Sequence, residues 1–276
     1  MSDKPLAGRT ALVTGASRGL GAVIARHLSA AGANLILAAR DRAALEKFAA
    51  ELNARAEPVD LSDPANVDRF LDKCEAAQPI DILINNAAIQ GPIGPFWKTD
   101  FAAWQSVFQT NFFAPTRICQ RLVEPMIQRK HGKIINLSGG GATSPRPHFT
   151  AYASSKCALV RFSETLAHEL TGAGVDVNCV SPGAMNTQML DQLLAAGPNG
   201  AVLEYKKALE QRDKGGAPPA KAAELVTFLA SPASDGITGK LISAIWDDWA
   251  SLPAQREELA KSDVYTLRRV APAAGK

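Results

Sequence analysis

The sequence predicts an α/β fold: a doubly wound parallel sheet with helices on both faces. Two observations carry this. Short runs of apolar or β-branched residues alternate with longer stretches of helical periodicity, and the short runs are apolar throughout instead of alternating with polar residues. Continuous apolar strands need cover on both faces, which right-handed helical crossovers between parallel strands provide. In chain order the strands are expected at residues 10–14, 35–39, 80–84, 133–137 and 175–180, with 57–59 a weaker candidate. Helical patterns fill the intervals.

A chain of 276 residues with 46% hydrophobic composition buries a full core as one domain. The domain is expected over residues 1–246, followed by an extension over 247–276 that contains Trp249 and a stretch of mixed aliphatic, aromatic and basic residues near Tyr265. Within the domain, residues 184–218 leave the end of the sixth strand. They are broken by Gly197-Pro198-Asn199-Gly200 and by Arg212-Asp213-Lys214-Gly215-Gly216, a pattern that predicts two short helices forming a lid. Thirty basic residues against 27 acidic give a net charge of +3, too small and dispersed for a nucleic-acid partner. No run is long enough for a membrane span, and the first residues carry no apolar leader, so a cytoplasmic protein is expected. Cys74, Cys119, Cys157 and Cys179 are scattered, without CxxC spacing or nearby histidines, and imply free thiols and no metal site.

Two motifs carry chemistry. Thr14-Gly15-Ala16-Ser17-Arg18-Gly19-Leu20-Gly21 lies between the first strand and the first helix. There, missing side chains let the backbone approach a pyrophosphate, and the helix N-terminus favours its charge. Tyr152 and Lys156 stand four residues apart on one helix face. A free phenol titrates near pH ~10, and a neighbouring ammonium draws it down toward the range of a general acid or base.

With these two motifs the chain resembles the single-domain type of the short-chain dehydrogenase/reductase family, whose TGxxxGxG turn matches residues 14–21 and whose YxxxK matches Tyr152 and Lys156. Further matches are Asp60-Leu61, Asn85-Asn86-Ala87, Asn111, Pro182-Gly183 with Thr187, and residues 238–242 as the usual last strand, together spanning residues 10 to about 245. The resemblance implies a Rossmann-like fold and a nicotinamide dinucleotide held by Gly15, Ser17, Arg18, Gly19, Leu20 and Gly21. Asp60 and Leu61 would flank its adenine, Asn86 and Ala87 its ribose, and Pro182, Gly183 and Thr187 its nicotinamide end. It also implies that Tyr152 handles the proton, that Lys156 holds the ribose and lowers the Tyr152 pKa, and that Asn111 organises a water relay. A homotetramer or homodimer is implied, through helices near 111–128 and 150–170 whose Phe112, Phe113, Ile118, Leu159, Phe162 and Leu166 exceed what one sheet face requires.

The choice of dinucleotide depends on charge at the end of the second strand, where a carboxylate would select a free ribose 2′-hydroxyl. This chain has Arg40 there and Arg18 in the glycine turn, which favour NADP(H) over NAD(H). The family's substrate-orienting serine falls on Gly139, within Ser138-Gly139-Gly140-Gly141. Ser138 is one residue early and points away in a regular strand, unless the glycines let it twist inward, offer backbone donors themselves, or leave orientation to another group. Arg146 and His148, fixed by Pro145 and Pro147, are placed to face a polar or anionic substrate or else solvent.

The favoured activity is NADP(H)-dependent interconversion of a carbonyl and an alcohol on a small molecule. The alternatives are an NAD-dependent sugar or polyol dehydrogenase and, because of Gly139, a dinucleotide-binding sensor or scaffold without turnover. A dehydratase or epimerase lacks the extra carboxylate it would need.

Overall fold

Apolar runs become strands here because each can bury alternate side chains on opposite sides of one sheet. In the computed structural model, which describes residues 4–198 and 201–270, seven strands form: β1 Thr10–Thr14, β2 Asn34–Ala39, β3 Arg55–Pro58, β4 Ile82–Asn85, β5 Gly132–Leu137, β6 Val175–Ser181 and β7 Leu241–Ser243. They are parallel in the order β3-β2-β1-β4-β5-β6-β7, which reverses direction between β1 and β4. Ligand crevices form beyond the carboxyl ends of strands at such a reversal.

The helices are α1 Gly19–Ala30, α2 Arg42–Glu51, α3 Pro64–Glu75, α4 Phe101–Phe108, α5 Ala114–Arg129, α6 Thr150–Glu169, α7 Gln188–Ala196, α8 Val202–Lys214, α9 Pro219–Ala230 and α10 Arg256–Lys261. Aspartates start three of them: Asp41, Asp63 and Asp100 accept backbone N–H groups of the first turns of α2, α3 and α4. Strand alternation divides the core. Ala11, Val13, Leu35 and Leu37 face α1, α2 and α9, whereas Leu12, Ile36, Leu83 and Ile134 face α3, α5 and α6.

Some boundaries differ from those expected. The weak third strand forms at Arg55–Pro58, earlier than 57–59, and its polar character fits an edge, where Arg55 and Glu57 pair with each other. The fourth begins at Ile82, because Asp81 uses its carboxylate to accept the Thr10 N–H at 3.0 Å. The last is shorter, since Gly239 turns with φ +73 before Leu241. Ile118 and Leu159, expected in excess of one face, are fully buried within the chain itself, leaving Phe113 exposed beside half-buried Phe112, Phe162 and Leu166.

The C-terminal extension packs back on the domain. Leu252 and Leu259 join the α1/α9 side of the core, and Trp249 lies 5.6 Å from Phe228, while Trp246 stays exposed. Beyond α10 the chain runs along the free edge of β7: the Leu241 N–H donates to Tyr265 O at 2.8 Å. Buried Lys240 donates to Ser262 O and Val264 O at 2.9 and 3.0 Å, and Arg268 pairs with buried Glu164 of α6. Among the described residues no helix is long and apolar enough to cross a membrane.

Candidate active site

The glycine turn and the end of β4 are stitched together by short polar side chains. Thr14 Oγ1 accepts the backbone N–H groups of Asn86 and Ala87 at 3.0 and 3.1 Å, and Asn86 Nδ2 donates to Thr14 O and Gly15 O at 2.9 and 3.2 Å. This closeness demands glycine. A Cβ on Gly15 would lie 2.9 Å from Ala87 Cα, and one on Gly21 would lie 2.2 Å from Gly15 O. Gly19, at the first turn of α1 with φ +57, has nothing within 4 Å of where its Cβ would point. An open helix N-terminus with glycine at its first position is what a pyrophosphate requires. Ser17 is half-buried beside it, while Leu20 turns its side chain into the core and offers only backbone.

The remaining sequence-predicted cofactor residues gather at the same end of the sheet. Asp60 accepts the Ser62 N–H and hydroxyl at 2.9 and 2.7 Å, bonds that hold its carboxyl below the usual range, with Arg40 adding to the effect. Leu61 is buried in the α3/α5 side of the core. After β6, Pro182 is buried, Gly183 has φ +85 where a Cβ would crowd Ala217 and Ile245, and Thr187 starts α7. Arg18 and Arg40 are exposed, and among the described residues neither forms an ion pair; Asp41 beside Arg40 is occupied as the cap of α2, accepting Ala44 N–H at 3.0 Å.

On α6, Tyr152, Ser155 and Lys156 are all buried. Lys156 Nζ donates to Leu137 O at the end of β5 at 2.7 Å, and burial pushes its ammonium down to about 8. Tyr152, packed with Phe149, Leu190 and Leu193, has its pKa raised by burial, with Arg146 the charge that opposes the rise. Lys156, expected to depress the phenol, is not among the causes of this shift. Lys156 Nζ is 5.9 Å from the Tyr152 ring centroid and engaged with a carbonyl, so desolvation dominates.

Asn111 sits in a π-helical segment, Gln109–Phe113, between α4 and α5. Such one-turn irregularities re-aim a side chain and concentrate at functional sites. Its Oδ1 accepts the Ile89 N–H and its Nδ2 donates to Ile89 O, both at 2.9 Å, and Nδ2 also reaches Ser155 Oγ at 3.2 Å. Ser155 in turn donates to Tyr152 O at 2.8 Å. Asn111 therefore ties the loop after β4 to the tyrosine helix.

Ser138 is not joined to this group. Its N–H remains in the sheet, donating to Val180 O at 2.8 Å, so the strand end does not twist, and its buried Oγ has no hydrogen-bond partner. The adjacent glycine explains why: a Cβ on Gly139 would lie 2.2 Å from the Tyr152 hydroxyl and 2.9 Å from Cζ. The tyrosine fills the volume a side chain at 139 would need. Arg146, whose Nη1 lies 3.8 Å from a Cβ built on Gly140, fills the volume beside it. Its partner Glu204, on α8, has no sequence signal; the surrounding Lys206 and Lys207 mark only a basic helix.

Residues 9–196 match the family described as short chain dehydrogenase. The chain belongs to that family. Short chain dehydrogenases are NAD(P)-dependent enzymes acting on CH–OH and C=O groups. A relative, nodulation protein G of Rhizobium sp. (strain N33), is 37% identical over 240 residues, covering 86% of this chain and 95% of the relative. The solved structure of a gluconate 5-dehydrogenase from Burkholderia cenocepacia J2315 in complex with NADP and tartrate is 27% identical with a TM-score of 0.74, covering 87% and 95% of the two chains. That of an NAD+-bound xylitol dehydrogenase is 25% identical with a TM-score of 0.79, covering 86% and 98%.

Proposed function

We propose that this short chain dehydrogenase uses NADP(H) to interconvert a ketone or aldehyde with an alcohol, Tyr152 giving or taking the proton on the substrate oxygen. The observation that carries the reading is the Tyr152 hydroxyl itself. It lies against Gly139 beyond the carboxyl end of β5, its ring packed with Leu190 and Leu193 of α7 and Lys156 one helical turn away.

The glycine turn fits the dinucleotide, because Gly15 and Gly21 leave no room for side chains and Gly19 faces open space. When bound, the dinucleotide supplies or accepts a hydride. Arg18 and Arg40, exposed and without ion-pair partners among the described residues, would receive a 2′-phosphate, and Asp41 does not compete because it caps α2. Lys156 would hold the ribose hydroxyls, and burial of Tyr152 keeps its proton in place until a substrate oxygen takes it. Leu190 and Leu193 of α7 pack on the Tyr152 side chain and fix its position.

The protein is read as cytoplasmic and as a homodimer or homotetramer. A groove of about 550 Å³ between α5 and α6, lined by Phe113, Val123, Phe162 and Leu166, would be covered by a second copy. The test of the activity is Tyr152→Phe, which should retain NADPH binding by fluorescence titration and lose nearly all turnover on a carbonyl panel read by NADPH absorbance. Retention of more than a few per cent of kcat at neutral pH would overturn the acid/base role.

A further inference from the structure

Glycines 139–141 empty the end of β5 of side chains, and two other groups move into the space. One is the Tyr152 hydroxyl and the other is Arg146. Arg146 Cζ lies 3.9 Å from the Phe149 ring centroid and 5.9 Å from that of Tyr152, with its aliphatic stem against Gly141, whose Cβ would meet Arg146 Cβ at 3.2 Å. The guanidinium therefore lies over the Phe149 ring, bedded on backbone and within 5.9 Å of the Tyr152 ring. Stacking leaves the in-plane donor edge of a guanidinium free for a planar acceptor.

That edge has a carboxylate on it. Arg146 Nε pairs with Glu204 Oε2 at 3.1 Å, both side chains about three-quarters buried, at 21% and 25% exposure. Glu204 belongs to α8, so its hold on Arg146 is conditional on the lid's position, and Lys207 Nζ, 3.7 Å from Glu204 Oε1, is a second cation ready to keep Glu204 if Arg146 is taken. His148, two residues on, has φ +71 and a buried Nδ1 without a partner, which adds an unused polar atom on the same loop. Its backbone carbonyl accepts the Gly94 N–H at 3.0 Å and so anchors this loop to the opposite wall of the pocket.

We propose that Arg146 is the recognition residue for a substrate carboxylate, and that Glu204 occupies its donor edge until such a substrate arrives. The inference rests on the reading of Tyr152 as the group that meets the substrate oxygen, since it is the Arg146–Tyr152 spacing that makes the substrate an oxo acid or hydroxy acid. An incoming carboxylate displaces Glu204, which passes to Lys207, and it receives a bidentate pair from the guanidinium while the carbonyl oxygen reaches Tyr152. Arg146 also remains the charge that favours the tyrosinate, so its occupancy is felt at the phenol.

The test uses the full-length protein saturated with NADP+ and titrated by calorimetry with succinate and, separately, succinamide, which has the same shape without charge. Succinate is expected to bind at least tenfold more tightly than succinamide. Arg146→Gln should remove that preference, Arg146→Lys should restore part of it, and Glu204→Gln should strengthen succinate binding several-fold by removing the internal competitor; circular dichroism checks that each variant is folded. Equal binding of the two probes, or a preference unchanged in Arg146→Gln, overturns the proposal. The two readings fail separately. Turnover of neutral ketones without a carboxylate preference leaves the oxidoreductase reading standing and removes Arg146, whereas Arg146-dependent succinate binding with no turnover of any compound in the carbonyl panel does the reverse.

Discussion

Gly139 offers the sharpest perturbation of the site. In Gly139→Ala the new Cβ would lie 2.2 Å from the Tyr152 hydroxyl, against an ordinary contact of 3.4 Å or more, so the hydroxyl must retreat by about 1.2 Å. Tyr152 cannot yield easily, because it is packed against Phe149, Leu190 and Leu193 and its helix is tied to Asn111 through Ser155. A misplacement of about 1 Å in a reacting group costs on the order of 10²-fold in rate. Gly139→Ala is therefore expected to lower kcat about 10²-fold, with NADPH affinity changed by less than about threefold, in steady-state assays on one accepted substrate. Gly139→Ser brings the same clash plus a hydroxyl, and so should recover part of that loss without exceeding the parent. Gly140→Ala is the control: its Cβ meets only the flexible Arg146 Nη1, at 3.8 Å, and kcat should hold. If Gly139→Ala turned over within threefold of the parent, the hydroxyl position seen here would not be the reactive one.

Three further outcomes are expected. NADPH should bind at least tenfold more tightly than NADH, and Arg40→Asp should invert the order, because a carboxylate there repels a 2′-phosphate and accepts a free 2′-hydroxyl; equal parental affinities in a fluorescence titration would refute the charge argument. NADPH affinity should also depend on pH: Lys156, pushed down to about 8 by burial, is charged below that value and neutral above it. Affinity should hold on the acid side and fall above about pH 8, by at most about tenfold per unit, and an affinity flat to pH 9.5 would exclude the ammonium as a ribose contact. Ser138→Ala should leave kcat within about threefold and raise stability by about 1 kcal/mol in urea titration, since it deletes a buried hydroxyl without a partner; a 10²-fold loss of kcat would instead return Ser138 to the site.

The sheet was legible where residues act locally. Runs such as Ala11-Leu12-Val13 are apolar on every position, which specifies a strand covered on both sides. The third strand was faint because it is an edge, where Arg55 and Glu57 satisfy each other instead of a core. Tyr152 and Lys156 could be paired from four-residue spacing, and the glycine turn from its place between strand and helix. Their electrostatics could not be read that way: which of burial or a neighbouring ammonium controls the phenol depends on where Lys156 Nζ points, and it points to Leu137 O. Asn111 was recognisable only by resemblance, since nothing in Gln109-Thr110-Asn111-Phe112-Phe113 announces a π turn. Arg146 stands out between two prolines, but Glu204 lies 58 residues away and only the fold brings them together. The glycine at 139 read as a missing donor; in three dimensions it is a space already taken.

The segment along β7 has a consequence for the order of events in biosynthesis. Every strand of the sheet is translated before the residues that cover its last edge, because the cover comes from residues 262–268. A nascent chain that has made Leu241–Ser243 but not Tyr265 presents an unpaired strand edge, with Lys240 lacking the carbonyls of Ser262 and Val264 and Glu164 lacking Arg268. Exposed edges are templates for pairing with other chains, and N-terminal parts begin folding while synthesis continues. The closing residues thus act as a built-in final step that sets when this sheet stops being adhesive.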